Sequence, residues 1–483
     1  MKDSKTVAKN YLFNTSYQLL VLIVPLITTP YISRVLNADG IGVYSYTYSI
    51  VCYFTLCSIL GTATYGNKQI GIYQSNPIER THKFWDIFVL RVITSGIAFI
   101  IYGLYVVFLA EQKNIAWIQS LYIIGVTFDV AWFFQGMEDF KRIAIRNYVF
   151  KFINVIAIFV FVKDKGDLWK YVFLLAGLTV VGNISIWPYL KKYLVKCKGY
   201  KARPFNEFKV VFQLFIPTAA IQIYAMLDKT MLGAITGSSA QNGYYEQSEK
   251  IVKMCLMLVT ALSTVLLPKI SKAYAENRFQ DAKEYLYKSY KFIWFLSIPL
   301  MFGVAGVSEI LVPVFFGDGY DPVKMVLPIM SLLFIPMGVN SVTGTQFLIA
   351  SGRQNEYTKR VIVGGIVNIV LNTALIPWIG VIGAAIGSVV GEMLIMATEF
   401  TYVYKNRFYN ISKILLSGKK NWIAGITMYL ELLTLQKVLN ESVLGLTLMI
   451  AIGGLTYLFV LIILKDSMIW NAYHSILKKV LHR

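Results

Sequence analysis

Apolar stretches about 20 residues long recur along the whole chain, and they limit its fold more than any other feature. A helix of about 20 residues crosses the roughly 30 Å of hydrocarbon in a bilayer. The chain is 56% hydrophobic and only 15% charged, which is too apolar for a soluble protein. We therefore predict an all-α polytopic membrane protein of about 14 transmembrane helices. The predicted spans are residues 11–33, 41–61, 84–110, 115–135, 147–162, 168–190, 210–235, 251–270, 292–316, 323–350, 361–379, 381–404, 421–439 and 443–464.

Lysine and arginine cluster in alternate connections between these spans. Basic residues of short loops collect on the cytoplasmic side of a membrane, so this alternation predicts cytoplasmic N- and C-termini. The densest basic connection, at residues 191–209, follows the sixth span. The net charge of +20 is explained by topology and by contact with anionic inner-leaflet lipid. We expect membrane lipids as partners and no nucleic acid.

The same long connection divides the chain into two groups of six predicted spans. Six is an even number, so the first and seventh spans enter the membrane in the same direction, and a duplication would be a parallel repeat. We predict six-helix bundles at residues 1–195 and 210–404, joined by a cytoplasmic linker at 196–209. Residues 405–464 would add a basic loop and two accessory helices, and residues 465–483 a cytoplasmic tail.

Asp228 and Lys229 place a carboxylate and an ammonium inside the seventh span. An isolated charge in hydrocarbon costs about 2.5 to 3.5 kcal/mol on insertion scales, so such residues usually face a bundle interior or a water-filled path. Adjacent helical residues point about 100° apart, so these two do not pair with each other. With Arg34 in the first span and Lys250 and Lys253 near the eighth, they predict a cationic cavity. The structural alternative is snorkelling to head groups.

Arg91 in the third span and Asp129 in the fourth lie at similar depth, since each is about seven residues from the same end of its span. Neighbouring antiparallel helices would bring the two together, and an ion pair would lower the cost of both charges. In the functional alternative, Arg91 lines the inner mouth of a path and Asp129 tunes its charge.

Three carboxyl groups lie within the last spans: Glu392, Glu399 and Glu431. An ionised and unpaired carboxylate is costly there, and the protonated form avoids that cost. Glu392 is therefore a candidate group for coupling to protons. The structural alternatives are a neutral carboxyl bonded to Asn368 or Asn372, and close helix packing at nearby glycines.

Motifs for soluble chemistry are missing from the sequence. There is no nucleotide-binding P-loop, and neither the four cysteines nor the three histidines have metal-ligand spacing. No connection between spans is long enough for a soluble catalytic domain. We expect no cofactor and no metal, and a transporter rather than an enzyme.

Several segments, in order along nearly the whole chain, resemble Wzx-type polysaccharide flippases of the MOP exporter superfamily. They include Pro25-Leu-Ile-Thr-Thr-Pro30, Asp39-Gly-Ile-Gly-Val-Tyr44, Trp132-Phe-Phe-Gln-Gly-Met-Glu138, Leu227-Asp-Lys-Thr-Met-Leu-Gly233, Leu267-Pro-Lys-Ile-Ser271 and Asn368-Ile-Val-Leu-Asn372. The resemblance implies two six-helix bundles around a central cavity in a bacterial cytoplasmic membrane. It also implies alternating access that moves undecaprenyl-diphosphate-linked oligosaccharide outward for capsule, O-antigen or exopolysaccharide assembly.

The resemblance further assigns roles to charged residues along the path. Head-group contacts would be Arg34, Lys68, Arg91, Arg146 and Lys229, with Asp129 and Asp228 as orienting partners. Lys68 stands where such flippases often carry arginine, which keeps the charge and loses the planar fork. A polysaccharide polymerase and glycosyltransferases are the implied protein partners.

Other functions fit the same sequence pattern. The nearest are a flippase for the peptidoglycan precursor and a multidrug exporter of the same superfamily. An exporter of cations needs carboxylates in its cavity, whereas cations outnumber carboxylates among the candidate residues of the first half. From a different class, the chain can be a membrane scaffold that recruits a polymerase without transporting anything.

Overall fold

The computed structural model describes residues 2–197 and 199–470, and of residues 2–22 and Thr264 it describes the backbone alone. Every regular element in that part of the chain is helical, and it contains no strand. The all-α fold class is confirmed. Eleven stretches of the described chain are long and apolar enough to cross a membrane by length and composition. Most of the predicted tail, residues 471–483, lies outside the described residues.

The first half contains nine α-helices among the described residues. They are α1 (Lys2–Ile59), α2 (Thr62–Ile72), α3 (Pro77–Phe108), α4 (Lys113–Gln119), α5 (Leu121–Thr127), α6 (Ala131–Gly136), α7 (Phe140–Phe161), α8 (Leu168–Ser185) and α9 (Phe208–Thr236). Short 3₁₀ helices lie at Lys165–Asp167 and Trp187–Lys192. Within α1 the chain bends at Asn37, where φ is 55°, and asparagine tolerates positive φ better than most residues. The bend separates the first two predicted spans.

The second half, as far as it is described, continues with eight α-helices. They are α10 (Ser239–Ala275), α11 (Phe279–Phe316), α12 (Asp321–Ser331), α13 (Phe334–Asn340), α14 (Gln354–Lys405), α15 (Ile411–Ser417), α16 (Lys419–Leu435) and α17 (Val443–Ile463). A π-helix at Ser341–Ile349 follows α13. Gly380 bends α14 with φ 53° and ψ −127°, a conformation that glycine adopts without steric cost. This bend separates the eleventh and twelfth predicted spans.

The observed helices are compatible with fourteen spans, although several spans are not single straight helices. One apolar stretch includes α1 from Ile23 onward, and another is α14. Both α1 and α14 consist of two helices joined at a bend. The fourth predicted span consists of α4, α5 and α6, and the tenth consists of α12, α13 and the π-helix. The thirteenth corresponds to α16, which has 17 residues.

The chain forms two compact units. Unit 1 runs up to Gly233 and includes Ser238–Gly243, and unit 2 takes Ala234–Gly237 and the chain from Tyr244 onward. The predicted linker at residues 196–209 and the six-helix bundles on either side of it stay a prediction. Most of α9 lies within unit 1. In that unit the Thr230 hydroxyl donates to Ser49 Oγ at 2.9 Å.

The two last helices pack on α11 within unit 2. Met428 and Leu432 of α16 and Met449 of α17 join Val307 and Ile310 of α11 in one apolar cluster. This contact is close, since a Cβ on Gly306 would lie 2.9 Å from the Leu432 side chain. The helices that the sequence sets apart as accessory are thus anchored to the second unit by apolar burial.

Candidate functional site

Arg91 of α3 lies in the interior of unit 1 with 2% of its surface exposed. Its Nε donates to Thr62 Oγ1 at 2.9 Å, and its Nη1 donates to the carbonyl oxygen of Asp129 at 2.5 Å. The guanidinium carbon also lies 5.9 Å from the centre of the Trp132 ring. Arg91 and Asp129 therefore meet as the sequence predicts, but through a main-chain carbonyl.

The carboxylate of Asp129 is instead directed to Arg146 of α7. Arg146 Nη1 lies 3.3 Å from Asp129 Oδ1 and 3.0 Å from Asn183 Oδ1. Arg146 Nε and Nη2 both donate to Asn147 Oδ1, at 3.0 and 2.9 Å. The predicted ion pair between Arg91 and the Asp129 carboxylate is therefore wrong, although the two residues are in contact. The turn after α5 points the Asp129 side chain toward α7.

These side chains hold the break between α5 and α6. A broken helix leaves carbonyl groups without helical donors, and at membrane depth they need partners within the protein. Three carbonyls at the break accept side-chain hydrogen bonds: Gly125 from Asn183 at 2.9 Å, Phe128 from Trp187 at 2.8 Å and Asp129 from Arg91 at 2.5 Å. The irregular backbone is therefore satisfied by one charged side chain, Arg91, and two neutral ones, Asn183 and Trp187.

Asp228 and Lys229 of α9 are both buried, with 8% and 5% of their surfaces exposed. Next to them, Thr230 bonds Ser49, and Tyr53 Oη lies 2.9 Å from Thr230 Oγ1. This face of α9 therefore lies against the second part of α1. Burial of Lys229 argues against a side chain that snorkels to head groups.

The other predicted cations lie in more open positions. Arg34 is exposed and donates to the Pro30 carbonyl at 3.2 Å, and Lys68 is exposed on α2. In unit 2, Lys250 Nζ lies 3.9 Å from Glu246 and Lys253 Nζ lies 2.8 Å from Glu249. The predicted cavity shared by Arg34, Lys229, Lys250 and Lys253 stays a prediction.

In unit 2, Glu392 of α14 accepts a hydrogen bond from Asn340 Nδ2 at 2.8 Å. The sequence names Asn368 and Asn372 as partners for this carboxyl, and those two asparagines bond each other at 3.2 Å. Close glycine packing is also present, since a Cβ on Gly387 would lie 2.2 Å from Asn372 Oδ1.

Glu399, which the sequence does not single out as a site, is the most buried carboxyl of this region. It has no exposed surface, and neither carboxyl oxygen has a hydrogen-bond partner in the described structure. Its Oε1 would lie 2.9 Å from a Cβ on Gly344, so it faces the π-helix. Such helices are frequent at functional sites. The sequence signal is its spacing of seven residues from Glu392, which places both on one helix face.

Metal chemistry has no support in this arrangement. Among the described residues, no group of three or more His, Cys, Asp or Glu side chains is placed to hold a metal ion. Arg91 and Lys229 are buried cations on helices. They are suited to charge-assisted hydrogen bonds with an anion.

Solved structures share the helical architecture of the chain. A solved structure named "Lipid II flippase MurJ, inward closed conformation" matches with a TM-score of 0.72 and 17% identity, over 96% of this chain and 100% of that one. An inward-facing multidrug resistance MATE family transporter matches with a TM-score of 0.58 and 15% identity, over 80% of this chain and 98% of the other. Both of these solved proteins are transporters and not enzymes, which agrees with the predicted class.

The sequence itself defines the family. The model of the polysaccharide biosynthesis protein family matches residues 7–274, and the MatE model matches residues 214–374. The chain belongs to the polysaccharide biosynthesis protein family, and the resemblance drawn from its motifs is confirmed. A relative from Escherichia coli (strain K12), named "Putative O-antigen transporter", is 23% identical over 80% of this chain and 94% of its own length.

Proposed function

We propose that this protein moves an undecaprenyl-diphosphate-linked oligosaccharide from the inner to the outer leaflet of a bacterial cytoplasmic membrane by alternating access. The observation that carries the proposal is the buried ammonium of Lys229 in a helix that crosses the membrane. A lysine ammonium forms strong charge-assisted hydrogen bonds with phosphate oxygens. The diphosphate of such a lipid is an anion of the right sign. The Escherichia coli relative, whose name assigns it to O-antigen transport, supports this substrate class.

The candidate cations take different parts in this proposal. Arg91 donates hydrogen bonds from Nε to Thr62 and from Nη1 to the Asp129 carbonyl at the break after α5. Its role is therefore to position the backbone. Arg146 is 12% exposed and shares Nη1 between Asp129 and Asn183. An incoming phosphate can compete for that shared donor, because charge-assisted bonds to phosphate are stronger than bonds to a neutral amide. We assign head-group contact to Lys229 and Arg146.

Orientation and partners complete the proposal. The basic connection at residues 191–209 would face the cytoplasm, where the lipid-linked unit is made. A glycosyltransferase on that side and a polymerase on the other would supply and consume the substrate. Glu392, held by Asn340, is proposed as the group that couples transport to protons.

The test replaces Lys229 by glutamine in cells that depend on this protein for surface polysaccharide. We expect polysaccharide to be lost and lipid-linked oligosaccharide to accumulate, while the protein remains at its usual level in the membrane. The matched control is Lys288→Gln, whose side chain is 62% exposed and which is not one of the predicted cavity residues. Normal polymer output from Lys229→Gln would overturn the cationic path. Accumulation of peptidoglycan precursor instead would identify a different lipid-linked substrate.

A further inference from the structure

A groove with a volume of about 840 Å³ lies within unit 1, between α3 and the chain that follows α8. Its walls include Phe84 and Trp85 of α3 and Trp187 and Leu194 from the opposite side. Trp85 is 40% exposed, so part of this apolar wall is uncovered. Exposed apolar surface that forms a concave site is typical of a binding site for an apolar ligand.

Polar contacts fix the segment that forms the second wall. The Thr81 hydroxyl accepts from the Val195 amide at 3.1 Å. Further along, Asp86 Oδ1 accepts from the Tyr200 hydroxyl at 2.7 Å and from the Arg203 amide at 2.6 Å. Burial and the bond to Asp86 raise the pKa of the Tyr200 hydroxyl, so it remains a donor at neutral pH. The segment is therefore tied along α3, and these hydrogen bonds hold the second wall of the groove in place.

Two lysines, Lys191 and Lys196, also line this groove. Both side chains are exposed, and neither forms an ion pair with a carboxylate in the part of the chain that the structure describes. An apolar groove with two unpaired cations fits an amphiphile that has a hydrocarbon chain and an anionic head. Basic pockets between membrane helices bind anionic phospholipid head groups in this way.

We propose that this groove binds an anionic phospholipid of the leaflet that the basic connection faces. One acyl chain would lie along Trp85 and Trp187, and the phosphate would contact Lys191 and Lys196. The groove is connected to the proposed transport residues, because the Trp187 indole also donates to the Phe128 carbonyl at the break after α5. A bound lipid would therefore stabilise the break that Arg91 and Arg146 hold.

Cys197 provides a direct probe, since it lines the groove and is partly exposed. The other cysteines, Cys52, Cys57 and Cys255, are replaced by alanine in the full-length chain. A charged maleimide then reports on Cys197 in detergent, with phosphatidylglycerol or phosphatidylcholine added. We expect phosphatidylglycerol to slow labelling and phosphatidylcholine to have little effect. Native mass spectrometry counts the phospholipids retained by the same samples.

Charge removal at the groove is the matched comparison. We expect Lys191→Gln/Lys196→Gln to weaken phosphatidylglycerol binding about five-fold for each lysine removed. Lys192→Gln/Lys201→Gln removes equal charge from the same connection outside the groove, and we expect it to retain most of the binding. Both lipids protecting Cys197 equally, or retained phosphatidylglycerol that does not depend on Lys191 and Lys196, would overturn the proposal. Protection by undecaprenyl phosphate at lower concentration than phosphatidylglycerol would assign the groove to the transported lipid and also overturn it.

Discussion

Arg146 Nη1 lies 3.3 Å from Asp129 Oδ1, so the carboxylate closest in sequence to the break after α5 is paired with α7. The Asp129 carbonyl, on the same residue, accepts from Arg91 of α3. One residue thus joins two arginines through different atoms. The carboxylate offsets part of the charge of Arg146, and the carbonyl leaves the charge of Arg91 without a carboxylate bond. The break after α5 is therefore held by α3 through Arg91 and by α7 through Arg146.

Replacing Arg91 by alanine is expected to destabilise the protein strongly. The change removes charge-assisted bonds to Thr62 and to the Asp129 carbonyl, each of which contributes about 1.5 to 3 kcal/mol. Arg91→Lys should recover only part of this loss, because one ammonium lacks the planar fork. The measurement is thermal unfolding of the purified protein in detergent. The control is Val92→Ala, because Val92 follows Arg91 in the sequence and its side chain is 43% exposed. Equal melting temperatures for Arg91→Ala and the control would show that Arg91 does not support the break.

The ion pair between Arg146 and Asp129 is expected to contribute much less to the free energy of unfolding than the Arg91 hydrogen bonds do. The Asp129 side chain is 38% exposed, and ion pairs open to solvent contribute about 1 kcal/mol or less. A double-mutant cycle with Arg146→Gln and Asp129→Asn measures the coupling energy from unfolding. If the coupling is small and Arg146→Gln still abolishes polysaccharide export, Arg146 acts on the substrate. A coupling of several kcal/mol would instead assign the pair to the fold.

Glycine at position 387 is expected to be required for the close approach of the two halves of α14. A Cβ there would lie 2.2 Å from Asn372 Oδ1, and overpacking of this kind costs about 1 to 3 kcal/mol. The matched control is Gly454→Ala on α17, where nothing lies within 4 Å of the added Cβ. The control should gain up to about 1 kcal/mol from helix propensity. Unfolding in detergent measures both variants, and a neutral Gly387→Ala would contradict the observed packing.

The sequence predicts the helices well because each span is encoded by its own apolar residues. It also predicts that Lys229 faces a bundle interior or a water-filled path, and that Arg91 and Asp129 lie at similar depth. It does not predict that Asp129 turns its carboxylate to Arg146, because that depends on where the fourth span breaks. The groove depends on Asp86 holding Tyr200, two residues far apart in sequence that only the fold brings together. Such contacts cannot be predicted from local hydropathy.

Glu399 and Glu392 are expected to respond in opposite ways to replacement by methionine. Glu392→Met removes the shorter of two hydrogen bonds from Asn340 Nδ2, at 2.8 Å to the carboxyl, and leaves the bond of 3.3 Å to the Glu392 carbonyl. Loss of one such bond costs about 0.5 to 1.5 kcal/mol. Glu399 has no hydrogen bond to lose in the described structure. A buried polar group without a hydrogen bond is itself costly, so an apolar side chain in its place is expected to be neutral or stabilising. Thermal unfolding of the two variants in detergent should therefore give a lower melting temperature for Glu392→Met and an equal or higher one for Glu399→Met. A marked loss of stability in Glu399→Met would show that this carboxyl has a partner in the working protein, and repeating the measurement over a range of sodium concentrations would test whether that partner is a cation.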